Sequence, residues 1–472
     1  MKSPNRSLKI AISLVIACIY STTLSAAGKP NVLFIAIDDL NDWVGCLDGH
    51  PNTKTPNIDR LAARGVCFSQ CTTNAPVCAP ARIGLASGLQ PGRLGCLGNA
   101  GILPQGTTTY YQRLRDSGYR VGCVGKLDLR KTDGYNGRYG DRPCTYSWGF
   151  THPEECEGKM HAGFSATPVG PYTHYLAEKG QLQTFHEDYM QRSATGWIAD
   201  CRDSPLASED FEDSYIGRRA VEWIENAPND FPWHYFVSFV GPHDPYDPPT
   251  EYGERYRGAA MPPAISDTLE GKPAWVKKRV ANLAPEEVAE TRRQYCAATE
   301  LIDHQVGLIL TALEKSGQLD NTYIVFSSDH GELLGDHGLY TKSAAYEASL
   351  RVPLIVAGPD IKGGRVSNAL CELIDLNATI CQFAGLESQP DIDARSLVPI
   401  LNEETDIHRE ETVAALQNFR CIRTATHKYI QNYNDIDELY DLLRDPDELH
   451  NIVGESPNLI ADFSRRLRRR LG

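Results

Sequence analysis

The chain has 472 residues, 41% of them hydrophobic and 23% charged, enough to bury a large core and the balance of a globular protein rather than a disordered one. Its formal net charge of −14 excludes nucleic acid and anionic membrane surfaces as general partners. An anionic ligand would have to be captured by a local basic pocket working against the overall field.

Residues 1–27 read as a secretory signal peptide. Lys2, Arg6 and Lys9 precede an apolar run over 10–20, and Ser25-Ala26-Ala27 forms a small-residue cleavage site. The run is too short to span a bilayer, no other segment is apolar enough, and the chain is expected to be exported to the periplasm or medium without a stable membrane span. Val15-Ile16-Ala17-Cys18 also has the look of a lipoprotein processing box, which would instead anchor the protein at Cys18. Of the fourteen cysteines, the twelve other than Cys18 and Cys78 are candidates for pairing in an oxidising compartment, and some are expected to pair. Cys67 and Cys71 have no second pair at matching spacing, so structural zinc is not expected.

From Lys29 short apolar runs alternate with helical segments, the pattern of an α/β protein. "NVLFIAIDD" predicts a buried strand ending in two acids. "TPNIDRLAARGV" predicts a helix with Thr55 as N-cap, Pro56 in its first turn and Gly65 as its stop. "TTYYQRLRDSGYRVGCVGK" predicts a helix stopped at Gly118 and then a strand. Residues 209–226 read as a helix, with Ile216, Ala220, Trp223 and Ile224 on one face. "WHYFVSFVGPHDP" predicts a strand stopping at His243, residues 284–316 the longest helix, and "NTYIVFSSDHGE" a strand stopping at Asp329 and His330. Residues 131–190 and 245–283 show no clear period and read as long functional loops. The chain is expected to divide into the leader over 1–27, a catalytic α/β domain over 28–390 and a small α+β subdomain over 391–472, whose final arginine run reads as a solvated helix face.

The strands end again and again in ionisable residues: Asp38 and Asp39, Lys126 and Asp128, His243, Asp329 and His330. The carboxyl edges of strands in an open parallel sheet face one crevice, where ligands bind, so these groups are predicted to converge. "NAPVCAPARIGLASG" adds a thiol. Pro80 suits a first helical turn, placing the helix start near Ala79 or Pro80 and Cys78 at the positive helix end, with Arg82 one turn on. A thiol there has a lowered pKa and meets any bound anion.

Cys78, Pro80 and Arg82 in a Cys-x-Pro-x-Arg pattern follow a strand ending in Asp-Asp, and "GPHDPYDPP", "SDHGELLGDHGLYTK", "RVPLIVAGP" and "LYDLLRDPDELHNI" come after in order. Over nearly the whole mature chain this resembles the type I sulfatases of the alkaline phosphatase superfamily. The resemblance implies an alkaline phosphatase-like fold, a large mostly parallel central sheet flanked by helices. It implies that a maturation enzyme oxidises Cys78 to formylglycine, whose hydrate has one hydroxyl to attack sulfur and another to expel sulfate. Asp38, Asp39, Asp329 and His330, with the Cys78-derived hydroxyl, would bind Ca²⁺ or Mg²⁺. Lys126 and Lys342 match the sulfate-binding lysines, Arg82 the residue that holds the hydrated aldehyde, and His243 the histidine that protonates the leaving oxygen.

The chain departs from the family pattern at Ala81, where serine is usual, and at Asp128, where Gly-Lys-x-His is usual. Asp128 is expected to replace that histidine as base, or else to contact a cationic or hydroxylated substrate. The implied activity is sulfate ester hydrolysis, on a sulfated carbohydrate by preference. The alternatives are choline sulfate or aryl sulfate hydrolysis, phosphonate or phosphodiester hydrolysis, and a non-catalytic binding protein. Arg130 and Lys131 would meet a second anionic group on a polymer or stand as solvated surface.

Overall fold

A computed structural model describes residues 28–471 apart from Asp48 and Asp133. The leader, with Cys18, lies outside the described residues. The strands in chain order are β1 Asn31–Asp38, β2 Gly65–Phe68, β3 Cys71–Thr72, β4 Arg120–Gly125, β5 His152–Glu155, β6 Trp233–Pro242, β7 Thr322–Ser328, β8 Leu354–Ala357, β9 Arg365–Ser367, β10 Cys371–Glu372, β11 Thr412–Leu416, β12 Phe419–Arg423, β13 His427–Asn432 and β14 Glu438–Asp441. Eight of them form one sheet in the order β5-β4-β6-β1-β7-β8-β2-β9, with β8 antiparallel to both of its neighbours and every other pairing parallel. The α/β architecture expected from the alternating pattern and the mostly parallel sheet implied by the resemblance are both observed.

All eight residues of β1 are buried because helices cover both faces of the sheet, which is why this strand reads as an unbroken apolar run. Leu33, Ile35 and Ile37 join one core with the Glu212–Asn226 and Pro285–Lys315 helices, while Val32, Phe34 and Ala36 join the other with the Cys78–Ser87 and Tyr110–Asp116 helices. The two-residue alternation of the strand thus selects the layer each side chain enters. Strands β11 to β14 form a separate antiparallel meander, capped by the Pro457–Leu471 helix through Phe463 and Leu467.

Several local expectations change. Thr55 precedes the Pro56–Ala63 helix as expected, but its hydroxyl accepts from Gly45 N at 2.8 Å instead of capping. The free amides of the first turn, Asn57 N and Ile58 N, donate to Asp303 of the long helix at 3.0 and 2.8 Å. Residues 131–190 are not loop throughout: they hold helices Pro143–Ser147, Lys159–Phe164, Pro171–Glu178 and Leu182–Thr195 as well as β5. Three of these helices have eight residues or fewer, too short for periodicity to build up. The fourth buries Leu182, Phe185, Tyr189 and Arg192, a helical spacing obscured by the polar residues between them. None of the described cysteines is in a disulfide, against the expectation that some pair. Cys46 and Cys67 approach to 3.4 Å between sulfurs, and most of the others fill apolar core space as small hydrophobes.

His234 of β6 is fully buried, with Nδ1 3.0 Å from Val32 O and Nε2 without a hydrogen-bond partner. Burial pushes its pKa down to about 3. Between that value and the unfolded value near 6.5 the unfolded chain binds a proton that the folded chain refuses, so stability falls as pH falls below about 6.5. His234→Phe is expected to lose about 2 kcal/mol less than the parent in urea titrations at pH 5 relative to pH 7. Equal losses would assign the proton uptake to another group.

Candidate active site

The parallel register keeps the strand ends level. Ala36 of β1 pairs with Ser238 of β6, and Ile37 pairs with Ser328 of β7, so the residues after these strands emerge at one edge. Asp39 and Asp128 turn away from their strands with φ of 70° and 54°, left-handed conformations that carboxylate side chains tolerate better than most. The helix beneath the edge runs Cys78–Ser87, and Cys78 is its first residue, with extended Val77 before it and left-handed Gly88 closing it. All ten of its residues are buried, so no polar face marks it out.

At the centre Cys78 Sγ, where the resemblance implies a hydroxyl oxygen, lies 3.2 Å from His330 Nε2. The other ring nitrogen of His330 is 2.7 Å from Asp39 Oδ1. Arg82 donates through Nε to Asp329 Oδ2 at 2.7 Å and through Nη1 to Lys126 O and Ser238 Oγ at 2.7 and 2.8 Å. Lys126 pairs with Asp38, and Lys342 reaches Asp39 Oδ2 at 2.5 Å. His243 holds Asp244 O 2.6 Å from Nδ1, while Nε2 is 3.7 Å from Asp39 Oδ2. Every predicted site residue therefore lies in one buried charge network.

The network sets the charge of each member. Burial and Asp38 oppose ionisation of Cys78, but Lys126, Lys131 and Lys342 outweigh them and hold the thiol well below its ordinary range. Burial likewise opposes charge on Asp38, and Lys126, Arg82 and His243 overcome it. Asp329 goes the other way, pushed up to about 6 by burial, with Asp38 and Cys78 adding repulsion against the pull of Arg82. Burial disfavours the charged form of His330 and His243, yet the surrounding anions raise both above the ordinary histidine value.

The donor atoms of Asp38, Cys78, Asp329 and His330, all buried, lie within 4.8 Å of one another. Asp38 Oδ1 makes no hydrogen bond there, its neighbours Arg82 Nη2 and His330 Nε2 standing at 3.7 and 3.9 Å. A buried anionic oxygen without a donor, facing a second carboxylate and an imidazole, fits a divalent cation. Asp39, expected in the same set, falls instead into a neighbouring group with His243 and Asp244. That leaves two carboxylates and one imidazole beside residue 78 in the compact group, one carboxylate fewer than the expected set of three carboxylates with the same imidazole.

Asp128 is gripped between two ammonium groups, 3.3 Å from Lys126 Nζ and 3.0 Å from Lys131 Nζ. Burial opposes its charge, but Lys126, Lys131 and Arg82 hold its pKa below the usual carboxylate range. Sequence reasoning missed Ser238, which orients Arg82, and Asp244, although Asp244 follows His243 directly. It also missed Arg279, which donates to Tyr340 O, Lys342 O and Ser343 O and so holds the loop that presents Lys342. Thr341 and Ser343 flank that lysine at φ of 61° and 71°, and nothing in the local sequence announces the clamp. A cavity of about 420 Å³ adjoins the site, lined by Lys126, Asp128 and His243 together with Arg130, Lys131 and Phe164 among others.

A family model described as Sulfatase matches residues 30–386, and one described as N-sulphoglucosamine sulphohydrolase, C-terminal, matches residues 335–471. The chain is 30% identical to a choline-sulfatase of Rhizobium meliloti over 91% of this chain and 83% of that protein. It is 25% identical to an N-acetylglucosamine-6-O-sulfatase of Bacteroides thetaiotaomicron, covering 97% and 88%. Among solved structures, the phosphonate monoester hydrolase of Agrobacterium radiobacter superposes with a TM-score of 0.78 at 22% identity, covering 94% of this chain and 96% of that one, which shows the shared fold.

Proposed function

Because the chain belongs to the sulfatase family and is a sulfuric ester hydrolase, we propose that it cleaves sulfate esters of carbohydrates with a formylglycine made from Cys78. The observation that carries the reading is Cys78 itself, buried at a helix start, 3.2 Å from His330 and ringed by Lys126, Arg82, Lys342 and His243. Formylglycine at this position supplies a geminal diol, one hydroxyl to attack sulfur and one to expel sulfate. Asp38, Asp329, His330 and residue 78 would hold a divalent cation, Ca²⁺ or Mg²⁺ in the first instance, which would supply Lewis acidity toward the sulfate oxygens.

The chain's own side chains do the rest. Lys126 and Lys342 neutralise the sulfate, and Arg82 fixes the nucleophile's end of the helix. His243, with Nδ1 held by Asp244 O, presents Nε2 to protonate the leaving oxygen. The cavity beside the site supports a polar or anionic substrate over choline. Lys126, Arg130, Lys131 and Arg142 line it beside the carboxylates of Asp128 and Glu155, so cations outnumber anions there and a quaternary ammonium would enter against that excess. The leader over 1–27 supports export, and the Cys78 motif supports a maturation enzyme as partner.

On protein made in a host that matures such motifs, peptide mass spectrometry across residue 78 reads the aldehyde. Turnover of sulfated mono- and disaccharides against choline sulfate, aryl sulfates and phosphonate esters reads the substrate class. Preference for choline sulfate would overturn the carbohydrate reading, and faster phosphonate than sulfate cleavage would overturn the sulfate reading.

Asp128 takes the base role in this scheme, as a weak base held anionic by its two lysines. Asp128→Asn is expected to cut turnover about 10²-fold and to leave sulfated enzyme accumulating in intact mass spectra. Undiminished turnover would assign the base elsewhere and leave Asp128 as the countercharge of Lys126.

A further inference from the structure

We propose that Lys159 is a positioning residue for the proton donor His243, an inference that rests on the reading of His243 above. Lys159 opens the Lys159–Phe164 helix and borders the cavity beside Lys126, where a cation would ordinarily be taken for a sulfate ligand. Its geometry assigns it differently. The side chain is 3% exposed, and Nζ donates to His243 O at 2.8 Å and to Pro245 O at 2.6 Å while lying 2.7 Å from Asp247 Oδ1. Two carbonyls accept from the ammonium and a buried carboxylate lies against it, so its charge is committed to the loop rather than to substrate.

The need for such a clamp follows from the sequence of the loop. "GPHDPYDPP" places Pro242, Pro245, Pro248 and Pro249 within eight positions, so half the residues from 242 to 249 bring no amide hydrogen. A segment so poor in donors cannot tie its carbonyls to its own backbone, and buried carbonyls must find partners elsewhere. Lys159 serves the carbonyl of the proton donor and that of the residue two positions on. Asp247, fully buried in the same loop, closes the arrangement by pairing with the ammonium. With the His243 backbone held from below and Nδ1 held by Asp244 O, the ring has one orientation, with Nε2 toward the site.

The test is how the loss in rate depends on the leaving group. Protonation matters most for poor leaving groups and least for stabilised phenolates, so a displaced acid steepens the dependence of kcat/KM on leaving-group basicity. Mature Lys159→Met is compared with the parent and with His243→Ala on 4-nitrophenyl, 4-chlorophenyl and phenyl sulfate. Lys159→Met is expected to lose about 10- to 100-fold on phenyl sulfate and less than about threefold on 4-nitrophenyl sulfate, with KM unchanged. Lys159→Met/Asp247→Asn, which removes both members of the ion pair, is expected to show the same slope should the single variant fold poorly. A uniform loss across the series in both variants, beside a steep slope for His243→Ala, would overturn the positioning role alone. A flat series for His243→Ala would overturn the proton-donor reading and this inference with it.

Discussion

Cys78→Ala is expected to reduce sulfate ester turnover by about 10⁴-fold or more, the scale on which loss of a nucleophile is felt when the rest of a site stays intact. The site is built around this one atom. The helix start is fully buried, His330 Nε2 is 3.2 Å away, and Lys126, Lys131 and Lys342 together overcome the cost of burying an anion at residue 78. Methyl in place of thiol removes the proposed nucleophile without disturbing the apolar neighbours of the helix, so fold and thermal stability are expected to persist. Cys78→Ser sharpens the result. A serine that attacked sulfur would hold sulfate on a carbon lacking the second hydroxyl, and it is expected to stop after one covalent event. Steady turnover by the serine variant would remove the need for an aldehyde.

Removing divalent cations with a chelator is expected to lower turnover by about 10³-fold and to lower the melting temperature as well. Asp38, Asp329 and His330 are buried together with an unbonded carboxylate oxygen, and Asp329 is pushed up to about 6 by burial and its anionic neighbours. A dication held there would relieve that repulsion in the folded state alone. At a hundredfold excess over its dissociation constant it contributes about 2.7 kcal/mol to stability. Adding back Ca²⁺, Mg²⁺ and Mn²⁺ separately ranks the ions against a donor set that includes an imidazole. Asp329→Asn is expected to weaken the cation-dependent rise in melting temperature. If chelation changed neither rate nor melting temperature, the cluster would be a charge network sufficient without metal.

Much of this site was legible because its residues sit where the chain pattern changes. Strands β1, β4, β6 and β7 are apolar runs that stop at Asp38, Lys126, His243 and Asp329, and a parallel sheet brings such stops to one edge. The Cys78 helix was readable from Pro80 and Gly88, and its observed start is one residue earlier than the nearest one expected. The short helices within 131–190 were not readable, since one or two turns do not establish a period.

What the sequence by itself determined was the α/β order and the identity of the ionisable residues at the strand ends, because both depend on local periodicity and on where it breaks. Only the tertiary structure decided how those residues divide their work. It separated Asp39 from the compact donor group, gripped Asp128 between Lys126 and Lys131, left the described cysteines unpaired, and set Lys159 on the backbone of His243, 84 residues away. These depend on distances of a few ångströms between segments far apart in the chain. No composition or spacing encodes them, because which carbonyl or carboxylate a buried cation meets is settled by packing the layers together.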